Sequence, residues 1–278
     1  SSRDAKQREA LMLHDPEPPE PTGAIDDDRL RLLFTCCHPA LSLEGRVALT
    51  LRVVAGLTVE EIARAFLMQE SAVRQRITRA KSKIKTAQIP YQVPAPEDLR
   101  VRIDGVLAVL YLVFNEGYFA SGSEMPALRS ELTTEAIRLT RLVRELLPDD
   151  AEVAGILALM LLSEARSPAR ITAKGELVRL DEQDRGLWNR ELIDEGLSLL
   201  DRLRGAVPGR YTLLAQINAV HAAAVDAELT DWQRIVELYE QLERVDPSPV
   251  VTLGKAVAIA ERDSPQPVSY THLRAHET

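Results

Sequence analysis

Arg74 and Gln75 are neighbouring side chains that can each grip one planar edge with two hydrogen bonds. A guanidinium fork fits the O6 and N7 acceptors of guanine, and a carboxamide fits the N6 and N7 pair of adenine. The residues around them extend this chemistry: Ser71 and Thr78 carry hydroxyls, and Arg76, Arg79, Lys81, Lys83 and Lys85 carry positive charge. Val73, Ile77 and Ala80 recur at helical spacing, which predicts a helix over Glu70–Ala87 with those three inside. Ser71, Arg74, Gln75 and Thr78 then point outward near its N-terminal half, the part of such a helix that enters a major groove. The flanking cations suit phosphates, whose contacts fix register without reading sequence.

A second element must position that helix. Thr58–Phe66 reads as a short helix opened by a capping box, with Thr58 as cap and Glu61 three residues on. Ile62, Ala63 and Phe66 form its inner face, and Ala63 is small where two helices approach closely. Thr58 is counted with the candidate DNA-binding residues. A solvated basic helix in an ordinary bundle is the plainer alternative. The capped helix, short turn and basic second helix together favour a helix-turn-helix.

Other polar clusters carry less. Cys36-Cys37-His38 lacks the four ligands at spaced intervals that structural zinc needs, so buried thiols before Pro39 are expected and no metal. Tyr111, Asn115, Glu116 and Tyr118 could line a groove in the second half of the chain; a helix end stopped by Gly117 is the structural alternative. Asp181-Glu182-Gln183-Asp184-Arg185 holds paired carboxylates, but it precedes Trp188 at an expected helix start, where acids favour the dipole. Arg166 and Arg170 are the expected ion-pair partners of these acids. His221 lies among alanines and reads as core, and Trp232 reads as packing between helices. No nucleophile–base pair or phosphate loop is visible, so neither an enzyme nor a cofactor is expected.

The whole chain must be helical to carry this. Of its 278 residues 45% are hydrophobic and only 4% aromatic, a balance that suits packed helices better than sheets. Between Leu43 and Pro90 there are nine Lys/Arg and four Asp/Glu, a surplus of five positive charges in a chain of net charge −8. A basic module on an acidic body fits a local nucleic-acid contact. Residues 1–24 read as a linker ending in a Pro/Glu run, and 25–90 as the DNA-binding domain. The boundary falls where Pro90, Pro94 and Pro96 interrupt helix. Helices Leu99–Gly117, Pro126–Leu146, Asp149–Ala165, Leu187–Leu203, Tyr211–Ala227, Asp231–Val245 and Pro249–Glu261 build an extension over 97–262. A short hairpin is expected in Ile171–Leu180 around Lys174-Gly175. Asp246-Pro247 joins the last two helices as in a repeat of about 34 residues. The adjacent cysteines rule out a disulfide framework. No apolar run nears the roughly 20 residues that cross a bilayer, so no membrane contact and a cytoplasmic location are expected.

The stretch Asp28-Arg29-Leu30-Arg31-Leu32-Leu33-Phe34-Thr35-Cys36-Cys37-His38-Pro39-Ala40-Leu41 resembles region 4 of the extracytoplasmic-function sigma factors, as do Gly56-Leu57-Thr58 and Glu61-Ile62-Ala63-Arg64-Ala65-Phe66-Leu67. The subgroup with a long tetratricopeptide-like (TPR-like) extension is the most similar. The resemblance resumes at Tyr111-Leu112-Val113-Phe114-Asn115-Glu116-Gly117-Tyr118 and at Asp181-Glu182-Gln183-Asp184-Arg185, and closes with Ser248-Pro249-Val250-Val251. It implies an all-α fold: a region 4 helix-turn-helix followed by a TPR-like array. It also implies reading of the −35 promoter element by Ser71, Arg74, Gln75 and Arg76, contact with RNA polymerase core, and regulation through the extension, by a protein partner or by an intramolecular contact. The family's region 2 is not found before Ser1, so a fragment is expected. Ser269–Thr278 resembles adaptor read-through within an unstructured tail over 263–278. The competing readings are a one-component regulator, whose array senses a ligand or a partner, and a scaffold whose basic helix is incidental.

Overall fold

The computed structural model of the chain describes residues 28–66, 68–118, 126–172 and 176–263. The linker expected over 1–24, the tail after 263 and the Lys174-Gly175 turn lie outside the described residues. The regular structure of the described residues is eleven α-helices and three short 3-10 turns, with no strand. The expected hairpin reduces to one antiparallel bridge between Ile171 and Leu177.

Four helices form the basic module: α1 Asp28–Cys36, α2 Leu43–Val53, α3 Val59–Ala65 and α4 Glu70–Thr86. Ser42 caps α2 by accepting from the Gly45 amide at 3.2 Å. Gly56, at φ +76°, makes the left-handed stop that a side chain would disfavour. There the Leu57 amide donates back to the Leu51 carbonyl at 3.0 Å.

Seven helices follow: α5 Pro96–Tyr118, α6 Pro126–Leu146, α7 Ala151–Glu164, α8 Arg190–Arg202, α9 Arg210–Ala223, α10 Trp232–Val245 and α11 Pro249–Asp263. The centre is α7, whose residues from Val153 to Ser163 are all buried, as expected of a helix apolar on every side. Helices α5, α6, α8 and α9 pack around it, and α10 and α11 continue from α9. Two glycines permit the tightest approaches. A Cβ on Gly155 would lie 2.5–2.8 Å from Thr212 atoms of α9, backbone included, and one on Gly196 would lie 2.9 Å from Leu162.

Three boundaries differ from expectation by three residues or more, each for a local reason. Helix α5 begins at Pro96 rather than Leu99, because proline is tolerated in a first turn that needs no amide donor. Helix α8 begins only at Arg190, after a 3-10 turn over Arg185–Leu187, with Asn189 accepting from the Leu192 amide at 3.2 Å. Helix α9 stops at Ala223 rather than Ala227, because Arg185 takes the His221 and Ala224 carbonyls at 2.6 and 2.7 Å. Gly117 lies inside α5 and has no left-handed φ, so it is not the helix stop expected of it.

The core runs without interruption from the basic module into the extension, from Leu30 through Phe34, Val106 and Ile156 to Ala215. Helices α5 and α6 seat on α1, and α5 also on α2. The Arg102 guanidinium donates to the Phe34 carbonyl and lies 5.8 Å from the centre of its ring. Arg29 and Glu135 pair at 3.5 Å. The connecting segment is pinned by Thr35 Oγ1 to the Pro90 carbonyl at 3.2 Å, and by Tyr91 to the Asp28 carbonyl at 2.9 Å.

Candidate nucleic-acid interface

The interface is built on the capping box. The Glu61 amide donates to Thr58 Oγ1 at 3.1 Å, and the Thr58 amide donates to Glu61 Oε2 at 2.6 Å. Thr58 is exposed, so its hydroxyl proton remains able to meet a phosphate while the oxygen caps α3. Ile62 and Ala63 are buried, and Phe66 is half-buried against the same core. The Met68 amide closes the turn on the Ala63 carbonyl at 2.8 Å. Helix α4 then buries Val73, Ile77 and Ala80, the three residues whose spacing predicted its inner face.

Ser71, Arg74, Gln75, Thr78, Arg79 and Lys83 are exposed, while Arg76 and Lys81 are half-buried along the edges. Within the described residues Arg76, Arg79, Lys81 and Lys83 form no ion pair. Arg74 is different: it pairs with Glu70 one turn earlier. Arg64 likewise pairs with Glu60 at 2.7 Å on α3.

A cleft of about 320 Å³ opens between the start of α2 and the middle of α4, lined by Ser42, Glu44, Arg76, Arg79 and Lys83. Sequence reasoning missed it, because it joins residues some thirty positions apart. A Cβ on Gly45 would lie 3.5 Å from the Ala80 Cβ, which shows how closely α2 and α4 approach beside it. The Glu44 carboxyl is held below its usual range by its own backbone amide and by Ser42, with the Arg76 charge contributing.

Away from α4 the other candidates are held in packing. Tyr111 meets Tyr211 edge-on at 5.5 Å, and Tyr118 stacks on Phe114 at 5.5 Å. Asn115 and Glu116 are half-buried between them. Cys36 and Cys37 are buried free thiols, and burial pushes Cys37 up to about 12. Asp181 pairs with Arg179 at 3.1 Å, not with Arg166 or Arg170 as expected, because a partner two residues away lies within reach on the same turn. Arg166 and Arg170 instead reach Tyr118. Asp184 caps its 3-10 turn by accepting from the Gly186 amide at 2.8 Å.

Residues 31–84 match the family described as Sigma-70, region 4. That span runs from within α1 to near the end of α4 and contains every candidate contact from Thr58 to Lys83. Residues 102–204 match a family of unknown function, DUF6596, which covers α5 through α8 apart from the start of α5. An uncharacterized protein of Rhizobium meliloti (strain 1021) is 48% identical over 242 residues, which is 86% of this chain and 57% of that protein. The chain therefore spans a little over half the length of that relative. No solved structure matches the chain. Among the described residues no helix is long and apolar enough to cross a membrane.

Proposed function

We propose that this chain is the promoter-reading part, with its helical extension, of an alternative sigma factor of the extracytoplasmic-function type. In this reading α4 lies in the major groove of the −35 element. Arg74 and Gln75 meet base edges, Ser71 and Thr78 stand beside them, and Thr58, Arg76, Arg79, Lys81 and Lys83 hold phosphates. RNA polymerase core is the protein partner, the cytoplasm is the location, and the helical extension is a TPR-like regulatory array.

One observation carries the reading. Among the described residues the outer face of α4 carries Arg76, Arg79, Lys81 and Lys83 without ion pairs beside the Glu70-paired Arg74, while the extension seats on α1 and α2 instead. The region 4 match over the same residues supports it. The test is selection of duplexes from a randomised pool by the full chain, then affinity against salt. Arg74→Ala should cost about 1–3 kcal/mol on the selected duplex and relax choice at one base pair. Lys83→Ala should weaken all duplexes alike and reduce the salt slope by about one. Unchanged affinity in both variants would remove α4 from the groove.

The second reading, a one-component regulator with a sensing array, has one observation in its favour: a single core links α4's module to the extension. A selected site that core polymerase neither recognises nor shares would support it over the sigma factor.

A further inference from the structure

Helix α11 presents a bare apolar side. Pro249, Val250, Leu253, Ala256 and Val257 fall within about a third of its circumference, and all five are exposed. Val250 is 78% exposed, Leu253 66% and Val257 51%. The opposite side carries Val251 and Ala258, buried in one cluster with Ile235, Leu238 and Leu242 of α10. Thr252 donates to Glu243 of α10 at 2.9 Å and Lys255 pairs with the same carboxylate, so one flank of the stripe is polar and fixed. Beside it an open groove of about 960 Å³ runs between α10 and α11, lined by Glu240, Arg244, Pro247, Pro249, Leu253 and Ala256.

Single exposed apolar side chains are ordinary on a protein surface, but a stripe at i, i+3 and i+7 is the pattern of a helix face that packs. Among the described residues every other helix of the extension packs on two or more helices, whereas α11 packs on α10 alone. Two occupants could cover the stripe: a second copy, or more of the same polypeptide. Area separates them. With 15 residues, α11 is about 22 Å long and about 10 Å wide, so its stripe offers on the order of a few hundred Å². A stable contact between separate chains buries about 800 Å² on each. A helix joined to α11 by a short loop is held beside it at an effective concentration of roughly millimolar, where a contact of this size suffices. The 242 matched residues are only 57% of the Rhizobium meliloti relative, and the remainder is long enough for further helices.

We propose that the Val250, Leu253 and Val257 stripe is the seat of a further amphipathic helix of the same polypeptide, packed on α11 as α11 is packed on α10. The apolar side of that helix meets the stripe, and Arg244, exposed at the rim of the groove, suits a carboxylate on its polar side. This seat lies in the extension and stands whether or not α4 reads DNA.

The test is the rate at which a maleimide labels a cysteine on the stripe, followed by peptide mass spectrometry. Leu253→Cys in the full chain should label fast, since its own Cys36 and Cys37 are buried. Cysteine at the aligned position of the full-length Rhizobium meliloti relative should label more slowly, by about tenfold or more, because a covering helix must open first. Val250→Cys and its aligned position repeat the comparison, and they decide it if either Leu253 variant does not fold. Val207→Cys, at a side chain 91% exposed between α8 and α9, is the control and should label fast in both proteins. Cutting the relative after the residue aligned with Asp263 should restore fast labelling. Fast labelling of the intact relative overturns the proposal. Slow labelling that survives the cut also overturns it, because a segment other than the one after α11 then covers the stripe. So does protection that grows with protein concentration in either protein, which would assign the stripe to a second copy. Duplex binding by α4 is measured separately and does not depend on the outcome.

Discussion

Glu70 sits one helical turn before Arg74 and holds its guanidinium at the surface, 64% exposed on the arginine side. In the proposed reading a base edge competes with that carboxylate, and Glu70 would lower affinity while pre-aiming the arginine. Exposed pairs at this spacing are worth about 0.3–0.5 kcal/mol. Glu70→Gln should therefore strengthen duplex binding about twofold in anisotropy titrations at low salt, and more weakly at high salt; a fall in affinity would mean that aiming outweighs competition. His221 offers a test of the extension. Burial, then the charges of Arg166 and Arg185, lower its pKa to about 4, and its ring meets Trp232 edge-on at 5.3 Å. The unfolded chain takes up a proton near 6.5, before the folded chain does. Stability is thus full above that pH and falls as pH drops towards 4, by about 3 kcal/mol at most. Denaturant melts from pH 7 to 4.5 should show this slope, and His221→Gln should flatten it. At this scale the inner triad of α4 and the Thr58–Glu61 box were readable from spacing alone. Arg185's hold on α9 was not, because it depends on which way a loop folds back across 36 residues of chain.

Among elements, α7 is the one on which the extension depends. Its run of small and branched apolar residues was legible as a helix, whereas its full burial and the identity of its neighbours were not. The contact between Gly155 and Thr212 decides one of them, since it lets α9 cross at backbone distance. Gly155→Ala puts a methyl group against main-chain atoms that cannot swing aside. It should destabilise the chain by about 1–3 kcal/mol, despite the better helix propensity of alanine. Chemical denaturation measures this, and a stabilised variant would show that the two helices are not in such close contact. Helix ends were less readable than helix centres for a similar reason. The actual start of α8 and stop of α9 are set by Asn189 and Arg185, which act through hydrogen bonds made in the folded state.

For the molecule as a whole, the Pro90–Pro96 stretch reads as a domain boundary, yet the hydrophobic interior passes straight across it. The pattern of prolines reports where helix cannot continue; it does not report what packs on either side. Phe34 is fully buried, with Arg102 of α5 stacked against it, and Leu30 and Leu33 are fully buried in the same core. A chain ending at Pro90 should therefore lose its cooperative thermal transition and bind a hydrophobic dye. A sharp melt within a few degrees of the full chain would show that the basic module stands alone.

The Phe34–Arg102 contact also bears on inheritance. Were the seat of α5 on α1 a loose tether, a lineage could exchange one extension for another as freely as cargo is swapped on a hitch. With an aromatic ring, a guanidinium and a main-chain carbonyl fitted together, both sides of the join must change in step. Chimeras spliced at Pro90 should be viable only when the donor brings its own counterparts to those two residues.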